Sequence, residues 1–227
     1  MDNVRSATPG QVRRSPSVPA HWPIRRHVAA AETTPAGPLH SVEVTVPAKT
    51  NLTLHVGPAH EEWGGRHALD TIYCAIGVND VVTATAKTPG SGFSLELSGE
   101  HLGDLASSGS DMRRNHAVLA LFAIARAAGR EPDVALHVDK HIPVGAGLGG
   151  GSADAAATLL AANTLWGLHW PIERLRDIAA TLGADMPFCL EGGYAHGTGF
   201  GERIIPLEDD SSCVQTLRDR GFAGQLL

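Results

Sequence analysis

The chain has 227 residues, 43% of them hydrophobic, and a formal net charge of -6, which is enough apolar material for one sizeable core, or for one domain with part of a second. The acidic balance argues against a nucleic-acid-binding protein, and no stretch of about 20 apolar residues offers a membrane span. Three cysteines, Cys74, Cys189 and Cys213, lack C-x-x-C spacing and point to a reducing, cytoplasmic compartment rather than a disulfide frame or a zinc site, and the scattered histidines read as surface or core residues.

Residues 1–40 are rich in Pro, Ser and Arg without a sustained apolar pattern and read as a disordered extension. Arg13-Arg14 is not followed by the apolar stretch an export signal needs. Four alternating strands follow: Val42–Val46, Leu52–Val56, Val81–Thr85 and Phe93–Leu97. A helix over 115–128 leads to a further strand, Val134–Asp139. There Val134, Leu136 and Val138 alternate with Ala135, His137 and Asp139, the pattern of a half-exposed antiparallel strand. Helices are predicted over 152–166 and 171–182, the second opened by Pro171 at its first helical position and stopped by Gly183. Strands first and helices after argue for an α+β domain, an antiparallel sheet carrying its helices on one face.

Pro143-Val-Gly-Ala-Gly-Leu-Gly-Gly-Gly-Ser-Ala-Asp-Ala155 joins that strand to the first of these helices. Gly145, Gly147, Gly149, Gly150 and Gly151 let backbone N–H groups approach an anion closely. Ser152 is a suitable N-cap and Asp154 falls in the first turn, so a helix N-terminus faces the loop. The segment reads as a phosphate cradle. No Lys precedes Ser152, which excludes a Walker loop. Gly145, Gly147 and Gly150 satisfy G-x-G-x-x-G, but the preceding strand alternates and no acidic strand end follows about 20 residues on, so a dinucleotide fold is the weaker reading.

Phosphoryl transfer needs a cradle, a cation and a group to orient the attacking hydroxyl. Lys49 and Asp185 suit the last two tasks, because an Asp held near a Lys stays ionised and accepts the hydroxyl proton. Taken singly, Lys49 reads as a solvated lysine and Asp185 as a turn or cap residue; the loop between them in sequence ties them to this chemistry.

Three segments taken together, Val46-Pro-Ala-Lys-Thr-Asn-Leu-Thr-Leu54, the glycine loop and Leu182-Gly-Ala-Asp-Met-Pro-Phe188, resemble in order and spacing the GHMP small-molecule kinases. The resemblance covers residues 42 to about 207. It implies a GHMP kinase N-terminal domain over 41–207, closed by a hairpin from Tyr194 to Ile205. It also implies Lys49 and Asp185 as the catalytic pair, with ATP phosphates on Pro143, Gly145, Gly147, Leu148, Gly149, Gly150, Gly151 and Ser152. Mg²⁺ would be ligated by the Ser152 hydroxyl. Asn115 matches a position at the nucleotide site and is equally a helix N-cap. Asn51 and His67 would hold the acceptor. Pro-Ala-Lys-x-Asn around Lys49, Gly65-Arg-His-Ala-Leu69 and Gly183-Ala-Asp-Met-Pro187 most resemble one branch of that family, and this resemblance implies a small-molecule acceptor, the 2-hydroxyl of a cytidine-diphosphate-linked methylerythritol, in non-mevalonate isoprenoid synthesis.

Arg66 stands where the family carries an aromatic residue, and a guanidinium can also stack on a base. Residues 208–227 match none of the family's C-terminal motifs, and a shortened form is the expectation. Two alternatives stay open: a GHMP kinase for a homoserine, mevalonate or sugar acceptor, and a nucleotide-binding protein without turnover.

Overall fold

The computed structural model describes residues 39–100, 102, 112–208 and 211–220. Most of the N-terminal extension and the last seven residues of the tail lie outside them. Among the described residues, no helix is long and apolar enough to cross a membrane.

A long antiparallel ribbon forms the spine. Strand β1, Ser41–His60, pairs with β2, Arg66–Ala86, over nearly its whole length. β2 also pairs with β4, Val134–Lys140, at one end and with β5, Tyr194–Thr198, at the other. β5 turns back into β6, Arg203–Pro206, the hairpin that the resemblance implied. The two strands expected at Val42–Val46 and Leu52–Val56 are therefore one. Register shifts at Pro47/Ala48 and Asn51/Thr53 reset the inward-outward alternation, so the pattern breaks while the strand continues. Pro47 is tolerated beside such an irregularity because it donates no ladder hydrogen bond.

β3, Ser94–Gly99, runs parallel to β4, which corrects the expectation of a wholly antiparallel sheet. The intervening chain includes helix α1, His116–Ala128, which supplies the crossover that a parallel pair requires. The order β3-β4-β2-β5-β6, with β1 on β2, makes the sheet mixed.

One sheet face is dry. Val42, Val44, Val46, Val82, Ala84, Leu136 and Val138 are buried, while Glu43, Thr45, Thr83, Thr85 and His137 on the alternate positions are half-exposed. Each buried Val or Leu stabilises the fold by roughly 1.5–3 kcal/mol. Against this face lies α2, Gly150–Leu165, which packs on β1, β2, α1 and α4, Met186–Glu191. Its alanines at 153, 155–157, 161 and 162 are buried all round, and their small side chains let neighbours approach closely. A helix enclosed on every side fixes the position of its N-terminus, where the glycine loop ends.

α2 starts two residues earlier than predicted. Gly149, at φ 72°, is its N-cap, not Ser152, and no side chain caps it. A side chain at Gly151 would place Cβ 2.5 Å from the His116 ring, so glycines let the helix begin inside the loop. α3, Ile172–Leu182, has Pro171 as its N-cap residue, one position before the first helical one, and ends at Gly183 as predicted. A further helix, α5, Ser212–Asp219, lies in the tail and buries Val214.

Candidate functional site

The glycine loop and the N-terminus of α1 enclose a cavity of about 260 Å³. Pro143, Gly145, Gly147 and the run Leu148–Gly151 line it, as does Asn115. Gly145 and Gly147 adopt φ near +78° and +76°, and such left-handed turns bring successive N–H groups to one side, a concavity suited to an anion. Asn115 caps α1, its side chain accepting from Ala117 N at 2.9 Å, and it also borders the cavity. Ser152 is half-buried in the first turn of α2 and does not line the cavity.

Beneath the loop lies a charged cluster that the sequence did not reveal. The Lys140 ammonium bridges Asp80 from β2 and Asp154 from α2, at 2.7 Å for Asp154. All three are buried. The other oxygen of Asp80 accepts from the N–H groups of His141 and Ile142, at 2.6 and 2.8 Å, so the cluster anchors both the entry to the loop and the helix that leaves it. Burial pushes the Asp154 carboxyl up to about 7 against the pull of Lys140, with Asp80 adding to the rise. His116, which lines the same cavity, is held below the ordinary histidine value by burial and by the Lys140 charge.

Lys49 and Asp185, separated widely in sequence, form an ion pair at 3.0 Å. Lys49 is buried, and the Asp185 side chain remains 31% exposed, so the carboxylate is open to a ligand from one side. Asp185 occupies the N-cap position of α4 without capping it; its oxygens are committed elsewhere. Lys49 also donates to Asn51 Oδ1 at 2.9 Å, and Asn51 Nδ2 donates to Thr71 Oγ1 at 2.7 Å. The Thr71 hydroxyl in turn donates to the Thr53 carbonyl at 2.6 Å. With Oδ1 accepting from Lys49 and Nδ2 donating to Thr71, the orientation of the Asn51 amide is fixed.

Tyr73 completes this group. Its hydroxyl donates to Asp185 Oδ1 at 3.0 Å. Burial, then the Asp185 charge, pushes the phenol far above its ordinary range, so it stays a donor. Sequence reasoning missed Tyr73 because an apolar-looking strand position carries no signal of the partner it meets more than a hundred residues later.

His67 lies farther along the ribbon and is exposed. Its Nδ1 contacts the Gly57 carbonyl at 2.8 Å, and since a carbonyl only accepts, Nδ1 carries a proton; in the neutral ring Nε2 is then the acceptor. Arg66 beside it lies over the Phe200 ring at 4.4 Å, and Trp63 meets Phe200 edge-on at 6.0 Å. Phe200 belongs to the β5–β6 turn, next to Gly201, whose carbonyl faces the Tyr73 hydroxyl. The turn thus links the Arg66 platform to the Lys49–Asp185 pair.

Residues 115–193 match the GHMP kinases N terminal domain. That match spans α1, β4, the glycine loop and the helices α2 to α4. It is 74% identical over 189 residues to the 4-diphosphocytidyl-2-C-methyl-D-erythritol kinase of Bifidobacterium adolescentis, covering 83% of this chain and 61% of that protein. The enzyme of the same name from Salinispora tropica is 43% identical over 173 residues, covering 76% of this chain and 52% of its own length. A crystal structure of 4-(cytidine 5'-diphospho)-2C-methyl-D-erythritol kinase superposes with a TM-score of 0.57 at 37% identity, covering 73% of this chain and 55% of that one. The chain spans 52–61% of the length of these relatives.

Proposed function

We propose that residues 41–207 form an ATP-binding domain and that the chain transfers the γ-phosphate of ATP to the 2-hydroxyl of 4-diphosphocytidyl-2-C-methyl-D-erythritol, in the cytoplasm. The observation that carries this reading is the Lys49–Asp185 pair at 3.0 Å beside the glycine cradle, together with the 74% identity to a kinase of that name.

In this mechanism the cradle's N–H groups and the α2 N-terminus hold the phosphates. Asp185 accepts a hydrogen bond from the acceptor hydroxyl, and then its proton as the oxygen attacks. Lys49 holds the Asp185 carboxylate in place at 3.0 Å and offsets charge on the transferring group. Among the described residues no three acidic or histidine side chains cluster as a metal site. A Mg²⁺ ion would be held mainly by phosphate oxygens and water, because Ser152, the ligand that the resemblance implied, does not line the cavity. When bound, the ion neutralises phosphate charge. At the acceptor end, Asn51 approaches the reacting hydroxyl, the Nε2 of His67 accepts from the cytosine amino group, and Arg66 on Phe200 offers a flat cationic surface for the base.

The test is an acceptor screen with ATP and magnesium, read by product mass. A phosphorylated product from the cytidine-linked acceptor, and none from homoserine, mevalonate or sugars, is the expected result. Transfer to one of those others would reassign the acceptor, and nucleotide binding without product would favour a binding protein.

A further inference from the structure

Tyr73 is fully buried in β2, its ring stacked on Phe188 at 4.8 Å and 19°. On β5, Gly197 leaves room for it: a Cβ there would lie 2.5 Å from the ring. A phenylalanine would fill this slot without burying a polar atom, yet the chain places a hydroxyl here. That hydroxyl donates to Asp185 Oδ1 at 3.0 Å, while Lys49 holds Oδ2 at the same distance. The carboxylate is therefore tied at both oxygens from two different strands and cannot swing about its side-chain torsions without losing a partner.

We propose that Tyr73 is a positioning residue for Asp185: its hydroxyl fixes the plane of the carboxylate so that the remaining lone pairs face the acceptor. This rests on the phosphoryl-transfer reading above. The charged and titratable groups around the contact are Lys49 on β1, Cys189 on α4 and Glu202 in the β5–β6 turn. Of these, Lys49 holds the same carboxylate.

The experiment compares wild type with Tyr73→Phe, which keeps ring, stacking and volume. We expect kcat to fall about tenfold, the loss of one charge-assisted hydrogen bond. The KM values for ATP and acceptor should stay within about twofold, because binding contacts are untouched. The ¹³C resonance of the Asp185 carboxyl should shift in the variant, a readout that needs no turnover. An unmoved resonance overturns the pairing. A moved resonance with unchanged kcat, or a parallel loss in kcat, both KM values and Tm, overturns the positioning role. Absence of product from wild type overturns the phosphoryl-transfer reading and the catalytic part of this one, with the resonance still reporting the contact itself.

Discussion

The aliphatic stem of Lys49 lies directly against Gly149: a Cβ at that glycine would stand 2.8 Å from Lys49 Cγ and 3.1 Å from Cε. The Lys49 N–H also donates to the Leu148 carbonyl at 2.9 Å. One contact thus sets the spacing between the cradle that would hold the phosphates and the cation that would meet the transferring group.

Gly149→Val is therefore expected to damage both parts at once. The residue sits at φ +72°, a conformation a β-branched side chain resists, and the new methyl groups would displace Lys49. Titration calorimetry should show ATP affinity reduced by about tenfold or more, the effect of about 1.4 kcal/mol or more. Unchanged affinity would mean that the loop does not bind the phosphates.

Lys140→Met should destabilise the fold strongly. It leaves Asp80 and Asp154 buried without their cation, and breaking such a buried cluster typically costs about 3–5 kcal/mol. Urea unfolding would show a lower midpoint with a similar slope. A variant as stable as wild type would mean that the cluster is not a structural anchor of the loop.

His116 gives a pH dependence with a definite sign. Its folded-state value lies below the ordinary 6.5, so as pH falls through that ordinary value the unfolded chain takes up a proton that the folded one resists. Its contribution to stability is whole above this window and declines below it. Unfolding at pH 7.5 and pH 5.5 should show wild type losing more stability on acidification than His116→Gln. Equal losses in both would place the histidine in an unperturbed setting.

The cradle was legible in sequence because glycine density and a following apolar helix are local signals. Lys49 and Asp185 were legible only jointly, through their order around that loop, and their ion pair at 3.0 Å bears on a spacing no local pattern encodes. Tyr73, Asp80, Lys140 and Asp154 were not read as a set, since each meets its partners across strand pairings and helix packing. For the fold, alternation located Val134–Asp139 and Val42–Val46. It failed at Pro47 and Asn51, where register shifts interrupt the period without ending the strand. The parallel β3–β4 pair was hidden for a different reason: strand direction depends on the crossover, not on either strand's own residues.

The central claim is that Asp185 takes the proton in a transfer supported by Lys49 and the glycine cradle. Single-turnover transfer of γ-phosphate to 4-diphosphocytidyl-2-C-methyl-D-erythritol, measured for wild type and Asp185→Asn with ATP affinity measured alongside, tests it most directly. The account predicts product from wild type and a loss of about 10²–10⁴-fold in the variant, the range for removing a positioned general base, with ATP affinity nearly unchanged. Transfer by Asp185→Asn at the wild-type rate would contradict it.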